Sequence, residues 1–462
     1  MKIQQTLRSF YLLGCLIILA GCTDFLDTDL PSSQLTGEAV FKDRATATAA
    51  VANIYAGLRD QTLITGKTRG IGNLLGLYSD ELDYYGSNIG TLYNFSNHTV
   101  LATESEVAVI WNDSYNLVYA CNSVLEGLDG NDAIPESDKT QLQGEALFLR
   151  GFIHFYLNQL FGDIPYIIQT DYNQNAITGK LASTEIYEHL VSDLEEAISL
   201  LPETYTSSDR VRVNQFAAMA FLARVQLYFG NWEASLSLCN TILDRTDFYI
   251  WEEDLDNVFL KGSKSTLWQL KPISQGGNTY EGQTFIFETG PPNNIGVLSQ
   301  SFMDGFASDD QRADQWTRSI TDGSSVWFHP YKYKLRSVTG SSMEHSVVLR
   351  LAELYLIRAE ARLHLGDLEG AMTDLNKTRN RAGLSDVENL AMSDISDAIL
   401  IERRYELFTE YGHRWFDLKR NQKAGEVLAP IQPNWQENHV LFPIPETELL
   451  ANPNLNPQND GY

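Results

Sequence analysis

Positive charge is what this chain has least of. Its 462 residues hold 34 Lys and Arg against 60 Asp and Glu, a formal net charge of −26. A surface so acidic repels polyanions, so the electrostatic footprint of a DNA- or RNA-binding protein is missing. Cysteine is scarce as well. Only Cys15, Cys22, Cys121 and Cys239 occur, with no CxxC pair and no zinc-ligand spacing. A chain of this length can bury a core large enough to need no disulfide staples. Cys121 and Cys239 each fall in an apolar helical pattern and are expected as buried thiols, with one disulfide between them as the alternative. Past the N-terminus, no apolar run approaches the ~20 residues that span a bilayer.

Catalytic signatures are also lacking. Gly66-Lys67-Thr68 looks like the end of a phosphate-binding loop, but Gln61 stands where the first glycine is required, and no strand precedes it. The eight His residues are scattered, without an HExxH pair. There is no GxSxG elbow, no dinucleotide fingerprint and no calcium-loop pattern, and no cofactor is expected. Carboxylates are plentiful. Asp80, Glu81 and Asp83 cluster beside Tyr84 and Tyr85, the best place for the paired carboxyl groups of a glycosidase. A solvated loop is the plainer reading of that cluster.

What is present begins at the N-terminus. Lys2 and Arg8 precede an apolar run over 10–20, which closes with Leu19-Ala20-Gly21-Cys22. This is the layout of a secretory signal peptide. Its end resembles the bacterial lipobox, which implies cleavage before Cys22 and acylation, as with palmitate, of the Cys22 thiol and the new amino group. The run is about half the length of a spanning helix, which weighs against a plain membrane anchor. Several acyl chains would hold the protein at a membrane surface. Loss of Lys2 and Arg8 with the signal takes the net charge from −26 to −28. The expected organisation is a signal peptide at 1–21, an acylated tether at 22–36 and a single domain at 37–462.

Apolar periodicity predicts helices over 42–59, 106–125, 139–160, 183–200, 214–229, 231–243, 347–365, 368–381 and 396–411. Two segments break the pattern, 61–101 and 245–346. The first is rich in Gly with interleaved Tyr and Phe, and the second has Gly-, Pro- and Asn-rich loops between strand-like pieces at 265–270 and 326–328. Trp268, in the first of these pieces, reads as core. The junctions Leu227-Tyr228-Phe229-Gly230-Asn231-Trp232-Glu233-Ala234 and Leu363-His364-Leu365-Gly366-Asp367-Leu368-Glu369-Gly370-Ala371 are alike: helix, Gly turn, acidic residue, helix. They resemble the tetratricopeptide repeat, with an ordinary helical bundle as the alternative.

Four blocks together resemble one family. They are Glu145-Ala146-Leu147-Phe148-Leu149-Arg150-Gly151-Phe152 leading to Phe161-Gly162-Asp163-Ile164-Pro165, and the apolar helix from Leu349-Arg350-Leu351-Ala352-Glu353 to Arg358-Ala359-Glu360-Ala361. Then come Glu402-Arg403-Arg404-Tyr405-Glu406-Leu407 leading to Gly412-His413-Arg414-Trp415-Phe416-Asp417-Leu418, and the closing Leu441-Phe442-Pro443-Ile444-Pro445 with Gln458-Asn459-Asp460-Gly461-Tyr462. With the lipobox, the chain is similar to the SusD/RagB family of outer-membrane lipoproteins. The resemblance implies a mainly α fold, in which tetratricopeptide-like helix pairs form a superhelical scaffold beside an irregular, loop-rich, ligand-facing part with a few short strands. It implies a lipid-anchored protein at the cell surface that captures an oligosaccharide or polysaccharide. That ligand would pass, uncut, to a TonB-dependent SusC-type transporter in the outer membrane. Peptide binding, as the RagB name suggests, is the first alternative, and a surface glycosidase the second.

The residues of the blocks read as scaffold. Arg350, Glu353, Arg358 and Glu360 lie on an apolar helix, where isolated buried charge is costly, so they are expected to pair with neighbours, as are Glu402, Arg403, Arg404 and Glu406. Sugar binding needs flat apolar faces for C–H surfaces and polar groups for hydroxyls. The two irregular segments offer both. The candidates are Asp83, Tyr84, Tyr85 and Asn88 from the first, and Tyr280, Phe285 and Trp327 from the second.

Overall fold

A computed structural model describes residues 40–462. The expected signal peptide, Cys22 and the tether lie outside these residues. Local chemistry starts many of the helices. Asp43 accepts the Thr46 N–H (2.9 Å) and opens α1, Arg44–Asp60. The short α2 (Ile71–Tyr78) and α3 (Thr91–Ser96) follow, on either side of strand β1 (Leu82–Tyr84). Next come the long α4 (Ser105–Leu128), α5 (Glu136–Phe161) and α6 (Ser183–Leu200). Asn214 caps α7 (Gln215–Tyr228) by accepting the Ala217 N–H, and the left-handed Gly230 turns the chain into α8 (Trp232–Leu243).

The second irregular segment contributes β2 (Thr266–Leu270), α9 (Tyr280–Phe285), β3 (Gly296–Leu298), β4 (Thr317–Thr321), β5 (Val326–Pro330) and β6 (Ser346–Arg350). The chain then returns to helices: α10 (Leu351–His364), α11 (Leu368–Arg381), α12 (Met392–Leu407) and α13 (His413–Arg420). Between α10 and α11 the left-handed Gly366 makes the turn, and Asp367 caps the new helix. This repeats the α7–α8 junction, as the likeness of the two stretches indicated.

The helices pack in succession. α5 lies between α4 and α6, α6 lies on α7, α7 on α8, α8 on α10, and α10 on α11 and α12. α5 is buried along nearly all of its second half, which its all-round Leu and Phe content requires. Phe148 and Phe152 meet Phe221 of α7 and the edge of Trp268. Trp268 is fully buried, as expected, and Cys121 and Cys239 are buried free thiols.

Two expectations need correction. Residues 346–350 are a strand, not the first turn of a helix over 347–365. They pair antiparallel with β2, and α10 begins only at Leu351. Residues 61–101 are not one long loop, since they contain α2, β1 and α3.

The signature charges pair inside the scaffold. Arg224 Nε and Nη2 both donate to the Glu353 carboxylate at 2.6 Å, with the Tyr156 hydroxyl as a third partner of the guanidinium. Arg312 reaches Asp310 and Glu402. Arg350 holds Glu406 and Glu410, Arg358 holds Asp374 and Arg403 holds Asp417. Apart from Arg358, which is half-buried, each is a buried ion pair with hydrogen bonds, the arrangement under which charge survives away from water.

Candidate ligand-binding face

A four-stranded antiparallel sheet, ordered β1-β3-β5-β4, carries most of the candidate residues. Register decides which side chains share a face. Leu82 pairs with Leu298, and Leu298 with Phe328. These three and Tyr84 pack against the core of Phe302, Trp316 and Phe408. Side chains alternate along a strand, so Asp83, Val297 and Trp327 turn to the opposite face. There Trp327 and Ile320 rest on a small cluster of Phe287, Ile295 and Val297. The loop before β3 crosses beside the indole, where a Cβ on Gly290 would lie 3.8 Å from the ring.

Tyr85, 47% exposed, follows β1 on the side of Asp83. Partial burial and then the Asp83 charge raise its hydroxyl above the usual tyrosine range. Asn88 is exposed in the next loop. The face therefore combines an exposed phenol, a half-buried indole, an exposed carboxylate and an amide. Tyr84 is different. Its hydroxyl donates to the Asn293 carbonyl (3.1 Å), and it leans over Gly86, where any side chain would collide with it.

Of the seven candidates, Asp83, Tyr85, Asn88 and Trp327 lie on this outer side or its adjoining loop. Tyr84 supports it from beneath. Phe285 is a correction: it is buried in the core with Leu298 and Tyr333 and has no open face to offer. Tyr280 lines a separate cleft of about 330 Å3. Its hydroxyl donates to Asp60 (3.1 Å), and Lys67 lies 4.5 Å from its ring centre. Burial would raise Asp60, but the Arg59 guanidinium and the Tyr280 hydroxyl hold it low. The same cleft contains Ile273 and Val338, each 68% exposed, together with Gln283 and Ser346. Sequence reading missed both aliphatics, because single apolar residues among Pro, Ser and Gly carry no periodic signal.

Asp80, one of the carboxylates considered for hydrolysis, is turned inward. It accepts from Arg414 Nε (2.7 Å) and Nη2 (2.9 Å), and Arg404 lies at 2.8 Å. Burial pushes this carboxyl up, and the two guanidiniums bring it below the usual range. Its neighbour Glu81 is buried with one hydrogen bond, from the Thr409 N–H, and burial raises it to about 7. Among the described residues, no group of His, Cys, Asp and Glu is arranged to hold a metal ion.

Two family models match. One, described as starch-binding associating with outer membrane, covers residues 24–227, and the model of the SusD family covers 311–462. The chain belongs to the SusD/RagB family. Relatives in that family include SusD-like protein P2 of Formosa agariphila, 28% identical over 97% of this chain and 98% of its own. A SusD-like protein of Bacteroides ovatus is 25% identical over 70% and 67%. Among solved structures, a SusD superfamily protein of Bacteroides vulgatus superposes with a TM-score of 0.80 at 23% identity, covering 91% of this chain and 99% of the other. A laminarin-binding SusD-like protein gives 0.76 at 21% identity, covering 90% and 99%. A surface glycan-binding protein of Bacteroides fluxus gives 0.75 at 22%, covering 90% and 99%. The fold is thus the mainly α, helix-paired SusD architecture that the sequence blocks implied. Among the described residues no helix is long and apolar enough to cross a membrane.

Proposed function

We propose that this SusD/RagB protein captures an oligosaccharide or polysaccharide at the bacterial surface and passes it intact to a SusC-type TonB-dependent transporter. The carrying observation is that strand register sets Asp83 and Trp327 on one outer face of the sheet, with Tyr85 beside them. Flat rings beside a carboxylate and the Asn88 amide suit a ligand whose C–H faces stack and whose hydroxyls need polar partners. Tyr280, in its own cleft, contributes a second contact. The laminarin-binding and surface glycan-binding proteins of the same fold support the ligand class. The inward, doubly clamped Asp80 supports a role without hydrolysis. Acylation at Cys22 would place this face at the outer membrane, in keeping with the outer-membrane description of the family model.

Affinity electrophoresis against a polysaccharide panel that includes laminarin tests the reading. At least one polysaccharide should retard the protein, with no new reducing ends released. Replacing Trp327 or Tyr85 by Ala should weaken that retardation about fivefold or more, since one ring stacked on a ligand contributes on the order of 1–3 kcal/mol. Retention of peptides with no polysaccharide retained would favour the peptide alternative, for which the aliphatic Ile273 and Val338 are suited. Release of sugar would favour the glycosidase. Mass spectrometry of the mature N-terminus should find an acylated Cys22.

A further inference from the structure

Arg318 lies on β4, exposed at one edge of the four-stranded sheet. The register sets it opposite His329, two places from the Ile320–Trp327 pair. It therefore shares the side of the Trp327 indole, about 7 Å further along the strands. Asp83, the carboxylate of this face, is on β1 at the other edge, three strands or about 14 Å away. One residue fixes the Arg318 side chain. Nη1 donates to the Tyr331 hydroxyl (3.0 Å), and the guanidinium lies 5.1 Å from the Tyr331 ring centre. Lys334 lies 5.6 Å from the same ring, but Asp256 takes its charge.

No other described arginine is placed in this way. Most face a carboxylate, as Arg59 faces Asp60 and Arg69 faces Glu106. Arg210 and Arg379 have no carboxylate, but both donate to backbone carbonyls. Arg336 is exposed and has no side chain to hold it among the described residues. Arg318 alone is exposed, pinned by an aromatic residue and left without a carboxylate or carbonyl partner. Tyr331 occupies one N–H group, and the rest of the planar fork is open.

We infer that Arg318 is an anion subsite, and that the polysaccharide captured here carries carboxylate or sulfate groups. The inference rests on the sheet face being the ligand site. A chain with one ring on Trp327 and its length along β4 and β5 brings an oxyanion to the Arg318 fork, where parallel N–H groups bond it together. The Asp83 edge suits hydroxyls, so the two edges give the bound chain a direction. The rest of the protein has a large excess of negative charge. That field opposes general adsorption of a polyanion, so retention of one needs a local cation.

Affinity electrophoresis of the full-length protein tests this with matched polymers: alginate and polygalacturonate against their carboxyl-reduced forms, and dextran sulfate against dextran. At least one anionic polymer should retard the protein about tenfold or more beyond its neutral counterpart, and the pair that does so tells carboxylate from sulfate. R318Q should remove that difference, and R318K, a point charge without the fork, should keep part of it. Equal retardation by the charged and neutral forms, retention of neutral polymers alone, or a preference that survives in R318Q would overturn the inference. The ligand face would then still stand on its dependence on Trp327. Retardation by no polymer at all, laminarin included, would overturn both.

Discussion

Glu281 is buried with the Ser346 hydroxyl as a hydrogen-bond partner and no cation in contact, and burial raises its carboxyl to about 7. Glu406 is buried more deeply and behaves in the opposite way: against the raising effect of burial, Arg381, Arg350 and Arg312 hold it far below the usual carboxylate range. The sign for Glu281 follows. An unfolded Glu titrates near 4.3, so between about pH 4.5 and 7 the folded state binds more protons than the unfolded. Stability is therefore lost as pH rises through that window and is flat above it. E281Q keeps an oxygen for Ser346 and cannot ionise. Against wild type it should gain about 1–3 kcal/mol on going from pH 5 to pH 8, read as denaturant midpoints. Equal pH slopes for the two proteins would contradict the assignment. The same scale explains why sequence separated the aromatics poorly. Phe285 and Trp327 both sit in irregular, glycine-containing stretches, and only the packed structure puts one inside and the other at the surface.

The longest helices were legible in the sequence because their apolar stripes exceed any strand length. α4, α5 and α6 begin and end within three residues of where periodicity places them. α2 was not legible. Gly70, Gly72 and Gly76 resemble loop punctuation, yet two of them are inside the helix. Close packing gives the reason. A Cβ on Gly72 would lie 2.6 Å from the Thr409 carbonyl oxygen, so the helix rides against the backbone of the turn after α12. G72A must push that turn or α2 aside. It should destabilise the protein by about 1–3 kcal/mol, lowering the thermal midpoint. An unchanged midpoint would mean the two backbones are not so closely apposed. β6 failed for a different reason. A fully buried run of five residues with only Val347, Val348 and Leu349 apolar has no period that separates strand from helix, and the partner that decides it, β2, lies far away in the chain.

At the scale of the whole molecule, the family blocks foretold the scaffold, while the ligand face waited on contacts between distant segments. Neither β1 nor β3 exceeds three residues, and the face they form depends on their pairing. Asp80 joins the two parts. It precedes β1 and is gripped by Arg404 and Arg414, which follow from the third signature block. Ser299, just after β3, donates its hydroxyl to the Asp80 carbonyl (3.1 Å) and its N–H to the Glu81 carbonyl (2.9 Å). The signature arginines thus hold, through one carboxylate, the strand that presents Asp83 and Tyr85. D80N would leave two largely buried guanidiniums facing a neutral amide, a loss of up to about 3–5 kcal/mol. If that loss falls on the junction, amide hydrogen exchange should speed up over 80–85 and 296–299 while the central turns of α5 stay protected. Retardation by a polysaccharide that binds the wild type should weaken in parallel. Exchange that rises evenly through α5 and α10 would instead make Asp80 a support of the entire helical stack, with no particular hold on β1.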